Sequence, residues 1–264
     1  MQHAFFSKDF RPVAHHLALL FVIFSVVFNA ACSFSPQPIT IYPDIGEGGD
    51  LAYLGPAPDN TDRSLVRVRD TVLTVFGTVL GPTLDSIHLL NNTDIKPGEA
   101  VLDLGTGSGV QAIFAARTTK HVVATDISPQ AVENARFNVK QLGLNDRIEV
   151  REGDLFAPLA TDERFDVILL NLKYPHGGEQ HPAWALHERF FVNVKNHLKP
   201  NGRIYYQFGY EGNQRHVKKM LLDNQLYITN QQIARTKNID SGLFLIFEIR
   251  VRKKFSAITA SGAG

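Results

Sequence analysis

From residue 100 onward, short apolar runs alternate with stretches in which apolar residues recur three and four positions apart. Alternation of that kind predicts strands and helices in turn. Val101-Leu102-Asp103-Leu104 reads as a buried strand running into the turn Gly105-Thr106-Gly107-Ser108-Gly109, and Val110 to Ala116 supplies a helix behind it. His121 to Asp126 is a second short strand, ending in a carboxylate. Ser128-Pro129 then opens a helix with a capping hydroxyl and a proline at its first position. Val132, Ala135, Val139 and Leu142 line its inner face and Gly143 ends it. Ile148 to Val150 is the third strand. Phe165 to Asn171 is the fourth, and its continuous apolar run suits a central strand covered on both faces. Trp184 to Leu198 is helical, Gly202 to Gln207 is the fifth strand and Asn213 to Asn224 a further helix; Tyr227 to Ala234 and Leu243 to Val251 read as a strand pair. Alternating βα units imply a mostly parallel, doubly wound α/β sheet with helices on both faces.

Upstream of this unit the pattern changes. Leu17 to Phe28 is an uncharged apolar run preceded by Lys8 and Arg11 and followed by Ala30-Ala31-Cys32, the layout of an export signal or membrane anchor. It resembles a bacterial lipoprotein signal at Cys32, with Asn29 departing from that pattern, and it is short against the roughly 20 apolar residues that span a bilayer. Residues 33–60 are rich in proline, glycine and aspartate and read as a linker. Residues 61–94 form a lead-in, with strand-like Thr71 to Val79 and a helix face at Leu84, Ile87 and Leu90; the main domain takes residues 95–254 and a tail residues 255–264.

Composition narrows the function classes. A chain of 264 residues with 44% hydrophobic and 20% charged content buries one sizeable core, and a net charge of +1 gives no overall pull toward nucleic acid. The basic cluster Arg250, Arg252, Lys253 and Lys254 is explained equally well by a solvated end. A single cysteine excludes an internal disulfide framework and any zinc site built from several thiolates. His176, His181 and His187 lack a compact carboxylate or thiolate set around them, so no metal is expected.

In open α/β sheets ligands bind beyond the carboxyl ends of the strands, where the winding direction reverses. Polar residues mark four successive strand ends here: Asp103 with the glycine turn, Asp126, Asp154, and Asn171 with Tyr174. Any one of them alone would be an ordinary cap or loop residue. A dinucleotide fingerprint would require glycine at position 110, where Val110 stands, and no phosphate-loop Gly-Lys-Ser/Thr is present. Asp126, about 20 residues beyond the turn, is placed to accept hydrogen bonds from both ribose hydroxyls. The pattern therefore suits an adenosyl ligand without phosphate.

At these residues the segment from about Ile95 to Tyr210 resembles a class I S-adenosylmethionine-dependent methyltransferase, of the small-domain N-methyltransferase group that modifies glutamine, ribosomal RNA or protein. That resemblance implies a Rossmann-like seven-stranded sheet with an antiparallel last strand pair. It implies that Asp103, Gly105, Gly107 and Gly109 border the methionine part of S-adenosylmethionine, with Thr106 inside the turn, that Asp126 and the following Ile127 hold the ribose, and that Asp154, Leu155 and Phe156 flank the adenine. The family's Asn-Pro-Pro-Tyr motif becomes Asn171-Leu172-Lys173-Tyr174, which keeps the outer residues and loses both prolines. By the same resemblance the Asn171 amide oxygen and the next backbone carbonyl accept the N–H groups of the target nitrogen, the Tyr174 ring stacks on the substrate plane, and Asn171 also borders the cofactor.

The reading is a methyltransferase acting on nitrogen, with Asn171 and Tyr174 as catalytic residues and the acceptor, whether protein, RNA or small molecule, left open. Two alternatives stand beside it: a small-molecule methyltransferase with Pro175 to Trp184 as a lid, and a membrane-tethered cofactor-binding protein without turnover. A nicotinamide-dependent dehydrogenase is a weaker third. Membrane association through residues 13–32 is expected. The positive-inside rule would send the domain outward, whereas cofactor supply demands a cytoplasmic-facing one, and the latter is the expectation.

Overall fold

A computed structural model describes residues 39–42, 49–173, 180–209, 213–236 and 243–252, all within the unit Pro38–Gly264. The expected signal, anchor and lipidation site in residues 1–32, and the tail at 255–264, lie outside the described residues. Among the described residues no helix is long and apolar enough to cross a membrane.

In chain order the elements are β1 (Ile39–Tyr42), β2 (Leu51–Ala57), β3 (Asn60–Val68), β4 (Thr71–Phe76), α1 (Leu84–Asn92), β5 (Ala100–Leu104), α2 (Val110–Ala115), β6 (His121–Asp126), α3 (Pro129–Gln141), β7 (Ile148–Glu152), β8 (Phe165–Leu170), α4 (Trp184–Asn193), β9 (Leu198–Gly209), α5 (Gln214–Asp223), β10 (Leu226–Thr236) and β11 (Leu243–Val251). They build a sheet in the order β1-β10-β11-β9-β8-β5-β6-β7. The strands from β9 to β7 in that order are parallel, while β11 runs antiparallel to both β9 and β10. The doubly wound sheet with an antiparallel last pair is thus as expected, with one addition. β1 extends the edge by pairing parallel to β10, from Ile39↔Ile233 to Tyr42↔Thr236, making eight strands rather than seven.

Successive side chains of the central strands feed opposite cores. Val101, Val167 and Leu169 pack on one face with Ile113, Ala135 and Val139; Leu102, Leu104, Ile168 and Leu170 pack on the other with Trp184, Phe190 and Tyr206. A strand buried on both sides is apolar at nearly every position, which is why β5 and β8 were readable as runs despite Asp103 and Asp166. α3 begins as the sequence suggests, with the Ser128 hydroxyl accepting from the Ala131 amide and Pro129 at its first position. Leu142, expected on the inner face, is its exposed C-cap.

The expected linker at 33–60 carries β1 and β2, and β2 joins β3 and β4 of the lead-in, the latter within the expected strand-like Thr71 to Val79, in a separate antiparallel meander. β2 escaped notice because Gly55, at φ 108°, and Pro56 break its alternation, and both are tolerated on an edge strand with a register shift. The meander docks on α3 through two buried asparagines. Asn138 Oδ1 accepts from the Thr74 amide at 2.9 Å and Asn134 Oδ1 from the Phe76 amide at 3.0 Å. Both Nδ2 groups donate back to the Thr74 carbonyl at 2.8 Å. These side chains replace the neighbouring strand that β4 lacks on that edge.

Candidate active site

Where β5 meets β6 and β8 the winding reverses, and a cleft of about 540 Å³ opens at the carboxyl ends of these strands. Its floor is the glycine turn. Gly105, Gly107 and Gly109 have φ of 78°, 56° and 89°, left-handed conformations in which a side chain is strained. At Gly105 an added Cβ would also collide with Leu172 Cδ2, and at Gly109 it would press on Ala135 of α3. The turn is held from below. The Gly105 and Thr106 amides both donate to the Thr125 carbonyl, at 2.8 and 3.0 Å, and the Gly107 amide donates to Asp126 Oδ2 at 3.0 Å.

Asp103 is buried, and its Oδ2 accepts from Thr106 Oγ1 at 2.6 Å and from the Ala112 amide in the first turn of α2 at 3.0 Å. It borders the cleft, yet these two bonds commit its carboxylate to the turn and to α2. Burial pushes the Asp103 carboxyl up to about 6, against the lowering effect of these hydrogen bonds. Asp126, partly exposed at the end of β6, also accepts from the Ser128 amide at 2.9 Å, so it joins the turn to the start of α3. Ile127 is 65% exposed and lines the cleft at its lip.

Asp154 and Leu155 also line the cleft. Both Asp154 oxygens are engaged by Arg189 of α4, at 2.7 and 3.0 Å, a pairing the sequence did not suggest. Phe156 corrects the expectation. It is buried and stacked between Phe190 and His197, at 5.5 and 4.9 Å between ring centroids, and does not border the cleft. Asn171 stands at the end of β8 and lines the cleft with Leu172 and Lys173; Tyr174 and His176 lie outside the described residues. The structure thus brings Asp103, Gly105, Thr106, Gly107, Asp126, Ile127, Asp154, Leu155 and Asn171 to one cleft, with Gly109 supporting the turn from the α3 side. Among the described residues no group of three or more His, Cys, Asp or Glu side chains converges to hold a metal.

The roof comes from the lead-in, where the sequence suggested a strand and a helix face but no place beside the cleft. Thr78 to Thr83, between the meander and α1, borders the cleft together with Asp85 and Ser86 in the first turn of α1, and the Leu80 carbonyl lies 3.4 Å from where a Cβ on Gly107 would point. Gln111 of α2 is buried beside it. Its Nε2 donates to the Ser86 carbonyl at 3.0 Å, while its Oε1 has no hydrogen-bond partner among the described residues. A glutamine inside an apolar helical run, Val110-Gln111-Ala112-Ile113, was the available signal for this residue.

A sequence model of the methyltransferase domain family matches residues 95–244, and these include every cleft residue from Asp103 to Lys173. The chain belongs to that family. This methyltransferase domain is 34% identical over 154 residues to the release factor glutamine methyltransferase of Cereibacter sphaeroides, a match covering 49% of this chain and 54% of that protein. It is 33% identical over 150 residues to the ribosomal protein L11 methyltransferase of Lactobacillus johnsonii, covering 56% and 43% respectively. Such matches span about half, or less, of the length of these curated relatives. The crystal structure of ribosomal protein L11 methylase from Lactobacillus delbrueckii subsp. bulgaricus shares the fold, with a TM-score of 0.53 at 24% identity over 67% of this chain and 83% of that one. The methyltransferase domain therefore has the class I architecture that its strand order displays.

Proposed function

We propose that this methyltransferase domain binds S-adenosylmethionine in the β5–β6–β8 cleft and methylates a side-chain nitrogen of a protein. The observation that carries the reading is the placement of Asn171 at the end of β8, bordering the same cleft as the glycine turn with Leu172 packed over Gly105. The names of the relatives, which act on a release factor and on a ribosomal protein, favour a protein acceptor.

The cleft fits the cofactor in shape and charge. The glycine turn adds no side chains to the cleft floor; Asp85 and Asp126 border the cleft, Asp103 is buried at its edge and Asp154 is paired with Arg189, against a single lining cation, Lys173, among the described residues. A surplus of acid suits a ligand carrying a sulfonium and an ammonium. In this reading Asp126 accepts from the ribose, Ile127 and Leu155 cover the adenine, and Gln111 Oε1 accepts from the ammonium. S-adenosylmethionine, when bound, supplies a methyl group already activated by its positive sulfur. The chain is asked for alignment, exclusion of water and acceptors for the nitrogen's protons, one of which leaves as the nitrogen gains the methyl. The Asn171 amide oxygen and the Leu172 carbonyl accept the N–H groups of the acceptor, which leaves the nitrogen lone pair free to face the methyl.

The test is the full chain with S-adenosylmethionine labelled in its methyl group, offered separately to protein, RNA and metabolite fractions. Label in the protein fraction, lost on Asn171→Ala while cofactor affinity persists, is the expected result. Label in the RNA or metabolite fraction alone overturns the protein acceptor, and binding without transfer to any fraction establishes a carrier without turnover. We propose further that residues 13–32 tether the chain to a membrane with this domain on the cytoplasmic side, where its cofactor is made.

A further inference from the structure

The segment that presents the acceptor-binding atoms is short of support. Leu170, paired with Leu104 on one side and Tyr206 on the other, is the last β8 residue in the sheet ladder, so Asn171, Leu172 and Lys173 run beyond it. Among the described residues no side chain hydrogen-bonds the Asn171 amide, and the two positions after it lack the prolines that would stiffen the backbone. A carbonyl that must aim an N–H group needs some other restraint.

The restraint comes from the core behind it. His187 of α4 and Tyr206 of β9 are both fully buried. His187 Nε2 lies 3.3 Å from the Lys173 carbonyl oxygen, and its Nδ1 lies 3.0 Å from the Tyr206 hydroxyl. A carbonyl only accepts, so Nε2 carries the proton and donates to it. In the neutral ring Nδ1 is then an acceptor, and the Tyr206 hydroxyl donates to it. Burial lowers the His187 pKa and holds the ring neutral, which preserves this direction. Packing fixes both rings: Trp184 meets His187 edge-on at 5.7 Å, and Phe191 meets Tyr206 edge-on at 5.4 Å. The chain of bonds thus starts on β9, opposite Leu170, and returns to the backbone three residues farther along.

We propose that Tyr206 and His187 are positioning residues, forming a buried prop that fixes the Asn171–Lys173 backbone so that its acceptor atoms face the cleft. The proposal rests on the reading of Asn171 and the Leu172 carbonyl as the acceptor-binding pair. Neither His187 nor Tyr206 touches substrate or cofactor in this scheme. Each acts through the Lys173 carbonyl.

Three variants of the full chain test it: Tyr206→Phe, which removes one oxygen; His187→Leu, which removes both ring nitrogens; and His187→Gln, whose amide reaches the Nε2 position and can still donate. The structural readouts are the imidazole nitrogen shifts of His187 in the wild type and amide hydrogen exchange at residues 171–173. The wild type should show the Nε2–H tautomer. Tyr206→Phe and His187→Leu should speed exchange at these amides by about tenfold, an opening local to the segment, while S-adenosylmethionine affinity stays within about twofold of the wild type, the cofactor being bound by other groups. With an acceptor in hand, kcat should fall by roughly 10- to 100-fold in the same variants, as expected for reacting groups held out of alignment, and His187→Gln should recover most of the loss. An Nδ1–H tautomer, unchanged exchange at residues 171–173 in Tyr206→Phe, or a His187→Gln variant no better than His187→Leu would overturn the prop. A wild-type chain that binds S-adenosylmethionine and transfers no methyl refutes the proposed function instead, and the tautomer and exchange results still decide whether the prop exists.

Discussion

Asp103 combines two demands that oppose each other: it organises the glycine turn through Thr106 and Ala112, and it does so without water. An unfolded chain releases its proton near the ordinary 3.8, whereas the folded one holds it to about 6. Between those values the folded state binds more protons, so the Asp103 contribution to stability falls as pH rises through that window. At about 1.4 kcal/mol per unit, the buried charge costs on the order of 3 kcal/mol at neutral pH. Asp103→Asn, whose amide oxygen can accept the same two bonds, should gain on the wild type as pH is raised from about 4 to about 7, measured by urea unfolding. A constant difference between the two proteins across that range would contradict the assignment. At Asp126 the expectation is about affinity: Asp126→Ala should weaken S-adenosylmethionine binding by about 1 to 3 kcal/mol through the lost hydrogen bonds, and calorimetry that finds an unchanged Kd rejects the ribose role.

The asparagine clamp belongs to the scale of elements. Asn138 donates to the Thr74 and Ser108 carbonyls, both at 2.8 Å, and accepts from the Thr74 amide, so one side chain ties α3, β4 and the glycine turn together. Asn138→Ala should cost about 2 to 4 kcal/mol in chemical denaturation, since it strands buried backbone groups on two elements, and should weaken cofactor binding as the turn loosens. A variant that loses stability with wild-type affinity would separate the clamp from the turn. The elements also show what a sequence reveals. β5, β8 and the start of α3 were legible because burial on both faces, a capping serine and Pro129 leave local marks. β1 and β2 were not, because a short edge strand and one interrupted by Gly55 and Pro56 carry no run or alternation. His187 and Tyr206 stood in predicted elements, but their hydrogen bond joins a helix to a strand, and only the fold brings the pair together. Asp154 was legible as a polar strand end; its partner Arg189, on α4, was not.

For the whole molecule, strand order sets the place of the site, and βα alternation was enough to anticipate it. β4 and α1 left marks in the sequence, but where the meander and the Thr78–Thr83 roof sit was beyond reach, because the meander's position is set by packing against α3. Placement in the cell is a property of the full chain, and it yields a prediction of its own. A C-terminal reporter fusion should sediment with membranes and remain inaccessible to protease added outside intact cells. Activity of a reporter that functions only outside the cytoplasm would reject that orientation.

Closing β4 with side-chain amides has a result that reaches past this one molecule. A strand margin whose Thr74 and Phe76 amides and Thr74 carbonyl are already taken by asparagine side chains is a poorer template for a second polypeptide. At the other margin, Leu51–Ala57, a kink and a missing N–H at Pro56 discourage extension. Both edges of the small sheet thus resist growth, and part of that resistance to fibre formation comes from its docking on α3.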